Sequence, residues 1–139
     1  MKKAVYYLIP FLLFLTNANA QIVKGYFPYY RSMADVSNVQ YNKLTDIIYA
    51  FAAIDANGNL QITGPGGTPD LSLFNALKTN CASNGVRLWI AIGGWGLSGN
   101  FPGVAANAGR RATLANACLN LCTTHNLSGI DIDWEFPGA

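Results

Sequence analysis

Charge is scarce in this sequence, and positive and negative residues nearly balance. Its 139 residues include nine lysines and arginines and seven aspartates and glutamates, and Lys2 and Lys3 at the N-terminal end account for the formal charge of +2. A chain that is neutral beyond that end lacks the basic surface that attracts nucleic acids or anionic membranes. We therefore expect neither of them as a partner.

No apolar run reaches the roughly 20 residues that a membrane-spanning helix needs. The run over residues 4–15 follows a short basic start and precedes Ala18-Asn19-Ala20, a small-x-small pattern typical of a signal-peptidase site. These features predict a signal peptide over residues 1–20 rather than a buried helix. Cleavage after Ala20 would give a secreted chain, extracellular or periplasmic, that starts at Gln21 and has no further tie to the membrane.

Cysteine and histidine are also few. The cysteines are Cys81, Cys118 and Cys122, and His125 is the only histidine. Cys118 and Cys122 are one helical turn apart and His125 is off that spacing, which argues against a zinc site. Burial as small apolar side chains is the favoured interpretation. A disulfide between Cys81 and one of the other two, formed under oxidising conditions outside the cell, is the alternative.

A phosphate-binding loop is missing as well. Gly64-Pro65-Gly66-Gly67 is not followed by lysine and then serine or threonine. The sequence contains neither internal repeats nor low-complexity tracts. We expect no nucleotide, metal or other cofactor.

Short apolar runs alternate with amphipathic patterns along the rest of the chain. Strands are predicted over residues 22–27, 46–52, 87–92 and 129–136, with a short hairpin after the second. One helix is expected to start at Asp70 as its N-cap, and a longer one to run from Pro102 to about His125. This order predicts an α/β fold with parallel strands.

The predicted sheet lacks a cover at its last strand. No helix follows residues 129–136, so one face and one edge of the strand would be bare. We therefore expect residues 21–139 to be the N-terminal part of an incomplete domain. A small open sheet that is complete in itself is the alternative.

The last predicted strand carries acids at alternate positions, Asp131, Asp133 and Glu135. Alternate residues share one face of a strand, so the three carboxyl groups point one way and their apolar neighbours the other. Like charges in a mostly enclosed row repel, and at least one should hold a proton near neutral pH. A held proton is what the cleavage of a glycosidic bond needs. Glu135, the longest of the three and nearest the strand's C-terminal end, is the predicted donor.

Two other interpretations of this acidic strand are weaker. The row could be the polar face of an edge strand in contact with water, but the opposite face is wholly apolar. It could bind a metal ion, but the segment supplies no further oxygen or nitrogen ligands. Catalysis is favoured over both.

The same residues resemble the family 18 glycoside hydrolases, the chitinase family. The family signature Asp-x-x-Asp-x-Asp-x-Glu, on the fourth strand of an eight-stranded barrel, corresponds to residues 128–135 here. A second signature, Ser-x-Gly-Gly on the third strand, corresponds to residues 91–94, and residues 25–27 and 49–52 are similar to the first two strands. The resemblance implies a (β/α)8 TIM barrel of which residues 22–138 cover the first four strands.

The resemblance also implies a mechanism. Glu135 would be the proton donor, and the 2-acetamido oxygen of the substrate would be the nucleophile, as in the family exception to two-carboxylate catalysis. Asp133 would orient the acetamido group and stabilise the cyclic oxazolinium ion, sharing a proton with Asp131 and Glu135 in turn. The configuration at the anomeric carbon would be retained.

Three aromatic residues would line the sugar site by the same resemblance. They are Tyr26, Phe51 and Trp95, whose rings suit the apolar faces of pyranoses. For each of them, ordinary core packing is the alternative.

Two residues depart from the family signatures. Ser128 stands where the family has aspartate, and Ala91 where it has serine. In the family these two groups neighbour each other beneath the catalytic acids. Since carboxylate and hydroxyl are lost together, we expect altered activity with a changed pH–rate profile rather than a loss of activity.

The leading functional prediction is a hydrolase of N-acetylglucosamine polymers, chitin first. An endo-β-N-acetylglucosaminidase acting on N-glycan cores is one alternative, and a non-catalytic chitin-binding lectin is another. The intact Glu135 favours an enzyme, because lectin-like relatives typically replace this acid. If the 139 residues are the whole product, we expect an inactive fragment, since residues from the later strands of the barrel would be missing.

Overall fold

A computed structural model describes residues 21–138, so the predicted signal peptide lies outside the described part. Nine α-helices and β-strands follow one another in this part: β1 (Lys24–Pro28), α1 (Met33–Asn38), β2 (Asp46–Ile54), β3 (Leu60–Ile62), α2 (Ser72–Ser83), β4 (Arg87–Gly93), α3 (Phe101–Ala105), α4 (Ala108–His125) and β5 (Gly129–Asp133). Within the described residues, no helix is both long enough and apolar enough to cross a membrane.

The strands form one sheet in the order β1-β2-β4-β5, and all three pairings along this path are parallel. The short strand β3 pairs antiparallel with β2 as the second half of the predicted hairpin. The prediction of parallel βα units is therefore confirmed. In the described part, β1 and β5 are the two edges of the sheet.

Strand β2 is buried on both faces, as its unbroken apolar run predicted. One face, which includes Ile47 and Tyr49, joins the main core between the sheet and the helices. The other face, which includes Ile48 and Ala50, forms a small cluster with Ala91 on β4. We call this second side the inner face of the sheet, because Asp131 and Asp133 lie on it.

Helix α2 covers the outer face with four buried side chains, Leu73, Phe74, Leu77 and Cys81. The Phe74 ring meets Tyr49 edge to face, with 5.2 Å between ring centroids. The predicted N-cap at Asp70 is wrong by one residue, because the helix begins at Ser72 after Leu71. Asp70 accepts hydrogen bonds from the backbone N–H and the hydroxyl of Ser72, the first residue of the helix, both at 2.8 Å.

The single long helix predicted from Pro102 to His125 is also wrong, because two helices occupy this stretch. Helix α3 ends at Ala105, and the extended backbone of Asn107 separates it from α4. The Asn107 side chain accepts a hydrogen bond from the N–H of Arg110 at 3.1 Å. Asparagine competes with the helix by capping, so it starts a new helix here.

The three cysteines in the described part are free thiols, so the alternative disulfide is not formed. Cys81 is buried as expected, and its burial raises the pKa of the thiol to about 11. Cys118 and Cys122 are only half-buried, since α4 has no fully buried residue in the described part.

Strand β5 is shorter than the predicted strand, because its pairing with β4 stops at Asp133. Trp134 turns outward and stacks on Phe101 of α3, with centroids 5.3 Å apart and planes 17° from parallel. Glu135 therefore lies beyond the strand that was expected to carry it.

A charged network closes the amino-terminal end of the sheet, away from the acid row. The fully buried carboxylate of Asp46 accepts hydrogen bonds from Trp89 Nε1 at 2.6 Å and from Arg87 at 2.8 Å. A third comes from the Thr45 hydroxyl at 2.7 Å, and Lys24 lies 3.9 Å from the centroid of the Trp89 ring. Burial alone would raise the pKa of Asp46, but the hydrogen bonds and the charge of Arg87 outweigh it and lower the pKa to about 2.

Replacing Asp46 tests how much this network stabilises the fold. We expect Asp46→Asn to lower the free energy of unfolding by about 2 kcal/mol near neutral pH, because hydrogen bonds to a charged group are lost. The pKa of Asp46 is depressed in the folded state, so its contribution is present above the ordinary value of 3.8 and is lost as the pH falls towards about 2. Urea unfolding across this range measures both effects. Equal stability of the wild type and Asp46→Asn near neutral pH would contradict the expectation.

Candidate active site

Two of the three predicted acids lie on the inner face at the carboxyl end of β5. Asp131 pairs with Ala91 and Asp133 with Gly93 in the register of β4 and β5. Both side chains are half-buried, as is Glu135. The row is thus less enclosed than the sequence suggested, because β5 is an edge of the sheet in the described part. Within residues 21–138, no three histidine, cysteine, aspartate or glutamate side chains are grouped to hold a metal ion.

A hydrogen bond connects Asp131 to strand β1 at the opposite edge of the sheet. The Tyr26 hydroxyl on β1 donates a hydrogen bond to Asp131 Oδ2 at 2.6 Å. Three strand spacings of roughly 4.8 Å separate β1 from β5 along the sheet, more than these two side chains span across a flat sheet. The sheet is therefore curved, with the acid row on its concave side. The hydrogen bond to Asp131, together with desolvation and the charges of Asp131 and Asp133, raises the pKa of Tyr26 to about 12, so this hydroxyl remains a donor at neutral pH.

Glu135 is the acid whose protonation the structure alters. Desolvation, the charge of Asp133 and hydrogen bonding with Asp133 all raise the pKa of Glu135. Its carboxyl group therefore keeps a proton to higher pH than an ordinary glutamate does. A proton donor needs this property. The acid of the row that is expected to hold a proton is therefore Glu135, which is also the predicted donor.

The predicted aromatic residues surround the acids at different depths. Trp95 is 82% exposed, so the core-packing alternative is excluded for it, and Tyr26 is 58% exposed. Phe51 is half-buried and packs on the inner cluster of Ile48, Ala50 and Ala91. Its ring also lies against Gly94, where a Cβ would come within 2.6 Å of it, so only glycine fits at that position.

Sequence reasoning missed two residues of this site. Phe136 is 58% exposed and meets Trp95 edge to face, with centroids 6.2 Å apart. Its position next to Glu135 could have revealed it. Ser98 accepts a hydrogen bond from the N–H of Glu135 at 3.0 Å, and nothing in the sequence distinguished this serine from others.

The expected contact between Ala91 and Ser128 is wrong. Ala91 is fully buried on the inner face and pairs with Asp131. Ser128 comes just before β5, where its N–H donates to the carbonyl of Leu88, and it lines a cavity of about 540 Å³ with Arg87 and other residues. Because the register places Ser128 three residues from Ala91 along the strands, roughly 10 Å separates their levels.

Comparison with known proteins assigns this site to a family. The family model described as Glycosyl hydrolases family 18 matches residues 23–139. Chitotriosidase-1 of Mus musculus is 33% identical over 105 residues, which are 73% of this chain and 22% of that protein. A chitinase-like effector of Moniliophthora roreri is 30% identical over 124 residues, which are 87% of this chain and 29% of that protein.

Solved structures agree with the fold. The chitinase domain of the spore coat protein CotE from Clostridium difficile has a TM-score of 0.71 and 34% identity, covering 88% of this chain and 34% of that chain. The group IV chitinase of Ostrinia furnacalis has a TM-score of 0.72 and 24% identity, covering 86% and 34%.

The chain belongs to family 18 of the glycosyl hydrolases. Its four parallel strands form part of the (β/α)8 barrel of that family. The chain spans less than a third of the length of the two relatives named above.

Replacing Asp133 tests the electrostatic coupling within the row. We expect Asp133→Asn to lower the pKa of Glu135, because the neighbouring charge that favours the protonated form is removed. With glutamate labelled with ¹³C, NMR can follow the titration of the carboxyl signal of Glu135, which is the signal that Glu135→Gln removes. Asp35→Asn, which removes an exposed acid on α1, is the control and should leave the titration unchanged. An unaltered midpoint in Asp133→Asn would contradict the coupling.

Proposed function

We propose that this chain is the N-terminal catalytic part of a secreted chitinase-like hydrolase that cleaves β-1,4 bonds between N-acetylglucosamine units. The observation that carries the proposal is the placement of Glu135 next to Asp133 at the carboxyl end of a parallel strand, where its pKa is raised. Membership of the family and the chitinases among its relatives support this choice of substrate. The pattern over residues 1–20 supports secretion.

Membership of family 18 supports a substrate-assisted reaction. Glu135 gives its proton to the glycosidic oxygen as the bond from this oxygen to the anomeric carbon breaks. The acetamido oxygen of the substrate forms a new bond to that carbon, giving an oxazolinium ion. Asp133 orients the acetamido N–H and balances the positive charge of the ion. Water then attacks the anomeric carbon and returns a proton to Glu135, so two inversions give net retention.

Asp131 completes the proton relay at the base of the row, and the Tyr26 hydroxyl holds it in place. The hydrogen bond from the Tyr26 hydroxyl leaves the second oxygen of Asp131 available to its neighbour in the row. When Asp133 turns towards the substrate, Asp131 can take up the proton that these two acids share. Tyr26 stays protonated throughout, since its pKa is about 12.

Exposed aromatic rings supply the surface on which sugars would stack. Trp95 and Phe136 form an edge-to-face pair beside Glu135, and Tyr26 lies across the row from them. A chitinase from Cycas revoluta was solved in complex with (GlcNAc)4, with a TM-score of 0.66 and 23% identity to this chain. That complex supports an oligomer of N-acetylglucosamine as the ligand.

A non-catalytic chitin-binding protein is the second candidate. Two relatives, from Moniliophthora roreri and Moniliophthora perniciosa, are named chitinase-like effectors, at 30% and 29% identity. Exposed rings alone would suffice for such binding. The elevated pKa of Glu135 favours the enzyme, because binding alone has no use for a protonated acid.

Removing the acid separates these two candidates. In the full-length protein, we expect Glu135→Gln to lower kcat on (GlcNAc)4 by at least about 100-fold, because no general acid remains. Binding of the oligomer, measured by calorimetry, should stay within a few-fold of the wild type. Asp35→Asn is the matched acid-to-amide control and should retain turnover. Wild-type binding without turnover would support the binding protein and contradict the enzyme.

The separation of Ala91 from Ser128 gives a prediction for each position. We expect Ala91→Ser to shift the pH–rate profile, because its hydroxyl would face Asp131 on the inner face. Ser128→Asp should leave the profile unchanged, since that side chain lines the distant cavity beside Arg87. Hydrolysis rates across the pH range test both variants. A shift caused by Ser128→Asp alone would contradict this assignment.

A further inference from the structure

Ser98 is a buried polar residue in the loop between β4 and α3. Only 5% of it is exposed, although the loop around it contains the exposed Trp95. A buried hydroxyl needs hydrogen-bond partners, and the identity of those partners shows what the residue does. Its partners here belong to the two segments that carry the catalytic row and the sugar-facing tryptophan.

The Ser98 hydroxyl is shared among three backbone groups. Its oxygen accepts a hydrogen bond from the N–H of Glu135 at 3.0 Å. The same oxygen lies 2.9 Å from the carbonyl oxygen of Gly94 and 3.1 Å from that of Asp133. Because a hydroxyl has one proton, it donates to one of these carbonyls at a time, with Gly94 the nearer. The side chain therefore links the residues on either side of Trp134 to the turn before Trp95.

Ser98 makes this link beyond the last residue of β5 that pairs with β4. The pairing of β5 with β4 stops at Asp133, two residues before Glu135. The last backbone contact between these strands is the hydrogen bond from the N–H of Gly94 to the carbonyl of Asp133, at 2.7 Å. Beyond it, the N–H of Glu135 finds its partner in Ser98. The side-chain hydroxyl thus continues the attachment that the strand pairing would have supplied.

Close packing keeps Ser98 in place. Gly93 has a φ of 103°, and a Cβ at this position would lie 3.1 Å from Ser98 Oγ and 2.7 Å from the Phe101 ring. Phe101 in turn stacks on Trp134. The serine is therefore held between a glycine that leaves room for it and an aromatic pair that flanks Glu135.

We propose that Ser98 is a positioning residue that fixes the backbone of Glu135 relative to Asp133 and to the turn before Trp95. This inference rests on the proposed function for its kinetic consequence. General acid catalysis needs the donor within hydrogen-bond reach of the leaving oxygen, and small displacements of a catalytic group are costly. The Ser98 hydroxyl is buried and bonds to backbone groups, so it acts through the position of Glu135.

The kinetic test removes only the hydroxyl oxygen. In the full-length protein, we expect Ser98→Ala to lower kcat on (GlcNAc)4 roughly 10- to 100-fold, with KM within about two-fold of the wild type. The alkaline limb of the pH–kcat profile should move, because the distance from Glu135 to Asp133 changes. Ser83→Ala is the matched control, since the Ser83 hydroxyl also bonds to a backbone carbonyl but lies on α2. It should alter neither kcat nor the profile.

A second measurement tests the hydrogen bond without any turnover. Labelling glutamate with ¹⁵N allows the Glu135 amide to be followed, because its signal is the one that Glu135→Gln removes. We expect this amide to exchange with solvent at least about ten-fold faster in Ser98→Ala than in the wild type or in Ser83→Ala.

The outcomes distinguish this inference from the proposed function. Unchanged amide exchange in Ser98→Ala would overturn the positioning role of Ser98. Faster exchange with unaltered kcat and pH profile would also overturn it. In both cases, turnover by the wild type would leave the proposed function intact. If the wild type binds the oligomer without turnover, the proposed function fails. Faster exchange in Ser98→Ala would then still support the positioning of Glu135 by Ser98.

Discussion

The parallel pairing of β4 with β5 determines the arrangement of every candidate catalytic group. Its register sets Ala91 opposite Asp131 and Gly93 opposite Asp133, which places both aspartates on the inner face. A slip of one residue would turn them outward. The same pairing ends where Gly94 bonds to the carbonyl of Asp133, and this point sets where the chain leaves the sheet towards Glu135. The end of this pairing therefore determines the positions of Glu135, of the Trp95–Phe136 pair and of the hydrogen bond to Ser98.

The candidate catalytic acids and the stabilising charges lie at opposite ends of the sheet. At the carboxyl end, desolvation and then the charge of Asp133 raise the pKa of Glu135, because both make its ionised form less favourable. At the amino end, Asp46 is buried with three donors around it, and its pKa is lowered. This division matches the general separation of function and stability between the two ends of parallel barrels.

Periodicity predicted the parallel strands and the shared face of Asp131 and Asp133, because alternation and buried apolar runs are local properties of the sequence. Periodicity did not predict where β5 and the first helix after β4 end, because tertiary contacts determine these positions. The strand ends at Asp133 because β4 turns away at Gly93, and the predicted helix breaks at Asn107 because that side chain caps a new one. Ser98 was invisible for the same reason, since its partner Glu135 is 37 residues away in the chain. The separation of Ala91 from Ser128 likewise could be recognised only from the register of β4 and β5.

The central claim is that the acid row works with a nucleophile supplied by the substrate. The anomeric configuration of the first products tests it most directly. When the full-length protein hydrolyses (GlcNAc)4, early ¹H NMR spectra should show the β anomer at the newly formed reducing ends, because attack by the acetamido oxygen and then by water inverts the centre twice. Initial formation of the α anomer would show a single displacement by water and would contradict the account.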